Sequence, residues 1–462
     1  MAELILPGVY IEVRPEALIV PGPISVGNIG MVGTAAAGTV GKVEVLSSFA
    51  EARERFGPYD AYTPSPGHPL TLVRALEIAY DNGASTVLAV RVAKGAPSQA
   101  SHTVPDDTVK LTAKAPGSFG NKAKLKVENT SDALVSKVTL TYNQIVEEYS
   151  VKTGTELFAL INGGSAVATA AAGGKVTTKP TPLAEAPFSG GTDGADATAA
   201  DYKDGLEKLL NEAAHIIVAA GQDDATVGAL LKSHVEAAST DKIRRDRITV
   251  VGSAAGPTAA TKPSQFSDRL IFVTPGIKVV DSAKAADPLV DDPSVVLPGA
   301  FAAAAIAGML SARDPHISLT NKALSAIALE KKFSSGDLEQ LVKAQVLALE
   351  ERRGLRVVKG ITTDNGAFQQ ITTRRIVDYS KFGVRSAAEP YIGLLNNDRV
   401  RKALKGSING FLAGMVDDEM LVSYELDVTA TRDEEIRGIA KVTMTVRPTF
   451  SIDYIKVVMF LG

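Results

Sequence analysis

GIAKVTMTVRPTFSIDYIKVVMFLG, residues 438–462, closes the chain. Val442, Met444 and Val446 alternate with Lys441, Thr443, Thr445 and Arg447, the period-two pattern of a strand with one buried face. Pro448 interrupts the ladder because it has no amide donor. Beyond it, residues 455–461 are almost wholly apolar, so a strand there needs cover on both faces. Burying each large side chain is worth ~1.5–3 kcal/mol, so this terminus must pair with something. Two readings stand: a central strand of the chain's own sheet, or a strand shared with another subunit.

Working outward, 462 residues suffice for two to four domains that fold without disulfides or metal. The chain has no cysteine, which excludes thiolate nucleophiles and cysteine-ligated zinc and leaves the redox compartment open. A formal net charge of -3, with no dense basic cluster, gives no electrostatic footprint for nucleic acid. The opening MAELILPGVY lacks a basic segment followed by an apolar core, so no secretory signal is expected. Residues 295–310 are alanine-rich and too short for a membrane span, which predicts a buried helix and no direct membrane insertion.

Near the start, Val9, Ile11 and Val13 alternate with Tyr10, Glu12 and Arg14 between Pro7-Gly8 and Pro15. Such bracketing fits either an arm or an edge strand. From residue 24 strands and helices alternate: strands over 24–32, 42–46 and 86–92, helices before Gly57 and over 70–80. The same order resumes after 201, with helices over 202–213 and 226–238 and strands over 215–219, 247–251 and 270–273. This order predicts an open α/β domain with a largely parallel sheet. Between its halves the composition shifts to Thr, Ser, Ala, Gly and Lys, with strands at 109–113, 122–128 and 136–151 and a helix near 156–161. The expected organisation is an arm over 1–20, a discontinuous α/β domain over 21–95 and 190–345, a mainly β surface insertion over 96–189, and an α+β C-terminal domain over 346–462. The last contains a strand over 371–377 and a long helix from 398 to about 416.

No motif assembles a reaction centre. Gly27, Gly30 and Gly33 match neither the dinucleotide fingerprint nor the P-loop, and residues 252–256 lack the spacing of a nucleophile elbow. The five histidines are isolated, and Asp193, Asp196 and Asp201 suit turns and caps better than calcium. No cofactor, catalytic residue or metal ligand is therefore expected. In the long helix, Val400, Leu404, Ile408, Phe411 and Met415 form one apolar stripe, while Gly406, Gly410 and Gly414 line another face with Arg399 and Lys402 near it. Interior glycines cost roughly 1 kcal/mol each, so close approach of another backbone is expected, from its own domain or from a partner.

These residues resemble the tail sheath proteins of contractile phages and related contractile injection systems. The likeness runs from LPGVYIEV and residues 26–34 through APGSFGNKAKLKV, GGTDG and, less closely, PGAFAAAAIAGMLSARDP. It is most specific in TTRRIVDY, PYIGLLNNDRVRKALKGSINGFL and VTATRDEEIRGIAKVTMTVRPTFSIDYIKVVMFL. The resemblance implies no enzyme but a structural subunit that forms stacked six-membered rings around an inner tube. Baseplate and tail terminator proteins would lie at the ends, with assembly in the host or producer cytoplasm and residence in a virion tail or injection particle. It also implies exchanged terminal strands, Val9, Tyr10, Ile11, Glu12 and Val13 at one end and Ile452, Tyr454, Ile455, Val457, Val458, Met459 and Phe460 at the other. Arg399, Lys402, Lys405, Gly406 and Gly410 are the expected contacts to the inner tube. The alternatives are an open α/β enzyme with a site at the carboxyl ends of its strands, and an assembly protein that does not contract.

Overall fold

A computed structural model describes residues 26–63, 70–143, 145–285 and 288–461. It resolves into two compact units, one of residues 27–313 and 319–365, the other of 314–318 and the chain from 366 on. The first is built on an eight-stranded sheet. Its order is Leu355–Val357, Leu347–Glu351, Leu270–Thr274, Ile248–Gly252, Ile216–Ala219, Ile29–Gly33, Val87–Arg91 and Val43–Leu46. The six central strands run parallel, and an antiparallel strand closes each edge. Continuous burial along Ile29–Gly33, Val87–Arg91, Ile248–Gly252 and Leu270–Thr274 follows from cover on both faces.

The sequence positions that cover are legible in the pleat. Val32 belongs to the cluster of Tyr202, Leu206, Val227 and Leu231, from helices Ala199–Lys208 and Asp224–Ala238. Gly30 points the same way, and a Cβ there would lie 2.8 Å from Ile217 Cδ1. Gly33 points to the other face, where a Cβ would meet Thr71 Oγ1 at 2.9 Å and Leu72 Cα at 3.0 Å, at the start of helix Leu72–Asp81. These glycines therefore serve close packing. Helix Gly299–Ser311 packs on Leu72–Asp81 and across four parallel strands, and all its residues but Ser311 are buried. It begins at 299, later than expected, because residues Ser294–Leu297 form a strand and Pro298 caps the helix.

Two buried arginines fasten this unit. Arg247 donates to the carbonyls of Leu209 at 2.9 Å, Leu210 at 3.1 Å and Glu212 at 2.9 Å, satisfying the open end of helix Ala199–Lys208. Its Nη1 also lies 3.0 Å from His234 Nε2. Since guanidinium can only donate, Nε2 accepts and the His234 proton sits on Nδ1. Burial, with Arg247 beside it, pulls the His234 pKa down to about 4. Arg91 donates to Gly38 O and Pro116 O, both at 2.7 Å, and pairs with Asp193 at 3.2 Å. Asp193 in turn accepts from Ser118 N at 2.7 Å and Ser118 Oγ at 2.5 Å. The aspartate thus ties the insertion's entry and exit to the parallel sheet. Asp201 closes a capping box with Thr198, accepting from its amide at 2.7 Å.

The insertion holds two antiparallel sheets around a core of its own, with Val109, Leu111, Leu125, Val138, Leu140, Leu157 and Phe188 buried. Residues 136–151, read from sequence as one strand, form a hairpin of Ser136–Tyr142 and Ile145–Val151, with Asn143 at φ 54. Two further expectations are corrected. Residues 347–357 complete the parallel sheet, so the second unit starts at 366 instead of 346. Residues 371–377 are helical, part of Ile371–Ala388. The run of Ile and Thr favours a strand locally. Tertiary packing wins, because Ile376, Ser380, Gly383 and Ala387 recur at helical spacing and are buried, and Arg374 pairs with Asp378 one turn on at 2.7 Å.

Replacing Arg91 with Met should lower unfolding stability by about 3 kcal/mol, because carbonyls and a carboxylate lose their donor in a dry site. Urea denaturation measures this, and an unchanged midpoint would refute the anchoring role. For His234 the folded pKa lies below the unfolded value of 6.5. Its contribution is therefore complete above that value and declines as pH falls toward about 4. Stability followed across this range should show a descent that His234→Gln flattens.

Candidate functional site

In an open α/β sheet the default ligand site is the crevice where strand order reverses, beside the carboxyl ends of the central strands. Here that position lies between Ile29–Gly33 and Ile216–Ala219. Thr34 Oγ1 meets Thr71 Oγ1 at 3.1 Å, Thr71 Oγ1 meets Tyr202 Oη at 3.3 Å, and Gln222 Nε2 donates to the same phenol at 3.1 Å. Tyr202 is 1% exposed, and burial pushes its phenol up to about 12. These groups satisfy one another and fill the crevice with the chain's own side chains. Among the described residues, no cluster of three or more His, Cys, Asp or Glu could hold a metal ion.

The unsatisfied surface lies in the C-terminal unit. Helix Asp398–Asp417 is capped by Asn397, whose side chain accepts from Val400 N at 3.0 Å. Leu404, Ile408, Leu412 and Met415 bury one face against Ile376, Ala387 and Leu421. Phe411 reaches Gly383 of the neighbouring helix, where a Cβ would stand 1.9 Å from its ring. The other glycines behave differently. Among the described residues, a Cβ on Gly406, Gly410 or Gly414 would meet nothing within 4 Å, so packing against them does not account for these glycines. Arg399 is exposed near this face. Lys402 pairs with Asp398 at 2.8 Å, and Lys405 reaches across to Asp427 at 3.2 Å.

Against this helix lies a hairpin of Leu421–Thr429 and Lys441–Pro448, paired antiparallel and joined through the short helix Arg432–Ile436. Tyr424, Leu426, Val428, Val442 and Val446 pack toward the helices, and the intervening residues point away. The sheet has only two strands among the described residues, so each outer edge presents amides and carbonyls without a ladder. A period-two signal at Tyr424, Leu426 and Val428 could have revealed the first of these strands from sequence.

After Pro448 the chain is held briefly. Thr449 N donates to Met420 O at 3.1 Å, and Gln370 Nε2 donates to Asp453 Oδ2 at 3.3 Å. It then runs on without joining any sheet among the described residues. Ile452, Tyr454, Ile455, Val457, Val458, Met459, Phe460 and Leu461 are 62–93% exposed. The reading of this stretch as a central strand of the chain's own sheet is thereby overturned. Val9, Tyr10, Ile11, Glu12 and Val13 lie outside the described residues.

Comparison with known proteins agrees with this geometry. The family described as phage tail sheath protein central domain matches residues 195–363, and the phage tail sheath C-terminal domain matches 363–461. The tail sheath protein of Mycobacterium phage Bxz1 is 25% identical over 283 residues, 57% of this chain and 46% of that protein. The chain spans less than half the length of the curated relatives it matches. Among solved structures, the sheath tail protein of Desulfitobacterium hafniense superposes with a TM-score of 0.70 at 19% identity, covering 96% of this chain and 100% of the other. The helical sheath of the anti-feeding prophage in its contracted state gives 0.58 at 15% identity, covering 98% and 99%. The structural likenesses establish a shared fold over nearly the whole chain. With both family descriptions meeting end to end at residue 363, the chain belongs to the phage tail sheath protein family.

Proposed function

We propose that this protein is the repeating subunit of a contractile tail sheath, built as stacked six-membered rings around an inner tube. Contraction of the sheath would drive that tube through a target envelope. The observation that carries the reading is the coexistence, on one chain, of an exposed apolar stretch outside every described sheet and a two-stranded sheet whose edges are open among the described residues. The C-terminal stretch of one copy supplies Ile452, Tyr454, Ile455, Val457, Val458, Met459 and Phe460 to the hairpin of a neighbour. The N-terminal Val9–Val13 stretch serves the remaining edge. Backbone pairing provides the affinity and alternate side chains provide the register. Because donor and acceptor are different surfaces, the contact is heterologous and propagates through copies without closing a pair.

The energetics favour this arrangement. Ordering each arm residue costs roughly 1–2 kcal/mol of backbone entropy. Burial returns about 1.5–3 kcal/mol for each large apolar side chain, and each ladder hydrogen bond adds about 0.5–1.5 kcal/mol. A shared strand also resists pulling while letting the bodies on either side rotate, so it can hold the mesh together through a change of length. Motion would be driven by interfaces that bury more surface in one state than in the other, without nucleotide.

The helix Asp398–Asp417 faces the inner tube in this reading. Its glycine row lets another surface approach the backbone, and Arg399, Lys402 and Lys405 supply exposed charge beside it. Exposed ion pairs are weak, which suits contacts that must all release together. The mainly β insertion, with its own core, lies on the outside. Baseplate and terminator proteins bound the ends of the cylinder.

Removal of residues 453–462 should leave the circular dichroism spectrum nearly unchanged and abolish cylinders in electron micrographs. Cylinders of normal length from the truncated protein would refute strand exchange. Gly410→Ala should stabilise the isolated subunit by up to about 1 kcal/mol, since the position is open and glycine is a poor helix former. Gly410→Leu, and separately Arg399→Glu with Lys402→Glu, should fold and self-assemble yet fail to load onto tubes. Normal tube loading by both would remove this helix from the tube contact.

A further inference from the structure

We infer that the C-terminal stretch of a neighbouring copy joins the edge formed by Leu421–Thr429, not the edge formed by Lys441–Pro448, and that the charge of Lys456 makes the choice. The inference rests on the strand sharing proposed above. To it are added which of the two edges receives the stretch and which side of the stretch faces the helices.

The stretch has two unlike faces. Side chains alternate along an extended chain, so Ile455, Val457, Met459 and Leu461 fall on one side and Lys456, Val458 and Phe460 on the other. The first set is wholly apolar. The second carries Lys456, which is exposed and makes no ion pair among the described residues. In the receiving hairpin the row packed toward the helices is Tyr424, Leu426, Val428, Val442 and Val446, and an ammonium set into that row would lose its water without gaining a partner. A shift of one residue would put it there. Ile455, Val457, Met459 and Leu461 therefore continue the inner row, and Lys456 lies on the outer face of the sheet.

On that outer face the two edges differ in sign. Strand Leu421–Thr429 shows Glu425 and Asp427 there, both exposed. Strand Lys441–Pro448 shows Lys441 and Arg447, also exposed, with Thr443 and Thr445 between them. The register sets Glu425 opposite Thr445 and Asp427 opposite Thr443, so neither carboxylate faces a cation across the ladder. Glu434 acts on Lys441 and offsets only that end of the basic row. Opposite charges directly across a ladder attract, and like charges repel. Beside Leu421–Thr429, Lys456 gains a carboxylate as its neighbour, whereas beside Lys441–Pro448 it meets threonines or a second cation. Asp427 already pairs with Lys405 at 3.2 Å. Glu425 makes no ion pair among the described residues, and it is the partner that Lys456 takes. The strand that receives the stretch is also the one that packs on helix Asp398–Asp417.

The chain has no cysteine, so introduced pairs report the edge directly. Residues opposed across a ladder have Cα atoms about 4.5–5.5 Å apart, within disulfide reach. Full-length protein carrying Lys456→Cys with Glu425→Cys or Asp427→Cys is assembled, oxidised and run on a denaturing gel. Protein carrying Lys456→Cys with Thr443→Cys or Thr445→Cys is treated alongside, and electron microscopy confirms cylinders in each sample. A ladder of linked subunits should form with the first partners and not with the second. In the cysteine-free protein, Lys456→Glu should raise the concentration needed for cylinders about fivefold, the scale of one cross-strand charge contact. Glu425→Lys alone should do the same, and the two together should restore assembly. Linkage through Thr443→Cys or Thr445→Cys, or better assembly by Lys456→Glu than by the parent, puts the stretch on the other edge and overturns the inference while leaving strand sharing intact. Cylinders that link through none of these pairs and ignore every charge variant overturn the strand sharing, and the inference with it.

Discussion

A backbone amide or carbonyl facing outward from a sheet edge is a standing demand for a partner, and among the described residues the C-terminal unit presents two such rows with an exposed apolar stretch on the same chain. The two-stranded sheet is below the size at which a sheet is stable by itself, and only the helices beneath it keep it in place. The apolar faces of Tyr424, Leu426 and Val428 are only partly buried.

The α/β unit answers the opposite requirement. Its parallel strands are covered on both faces, its switch point is filled by hydroxyls and a phenol, and its helix ends are fastened by buried guanidinium groups. Such an interior has little freedom to deform.

Sequence was most informative where burial sets the pattern. The alternating helices and strands of the α/β unit emerged from periodicity. Pattern failed where tertiary partners overrule local preference. Ile371, Thr372 and Thr373 read as a strand, yet all three are buried on the helix Ile371–Ala388. The strands 347–357 were assigned to the wrong side of a boundary because sheet edges are recognised by what they pair with. The site itself was half legible. The glycine row and the apolar terminus stood out, but not the hairpin that could receive such a strand, since an open edge is a property of pairing and leaves no mark on composition.

A row of side chains along a helix acts like the teeth of a rack: a facing surface settles between them and must climb to advance. Gly406, Gly410 and Gly414 remove those teeth over three successive turns, leaving a corrugation as shallow as the backbone itself. Two surfaces meeting there can be close without being geared. Such a face can hold by proximity and weak charge and still let its neighbour travel along the helix axis with little resistance, as a smooth bearing does.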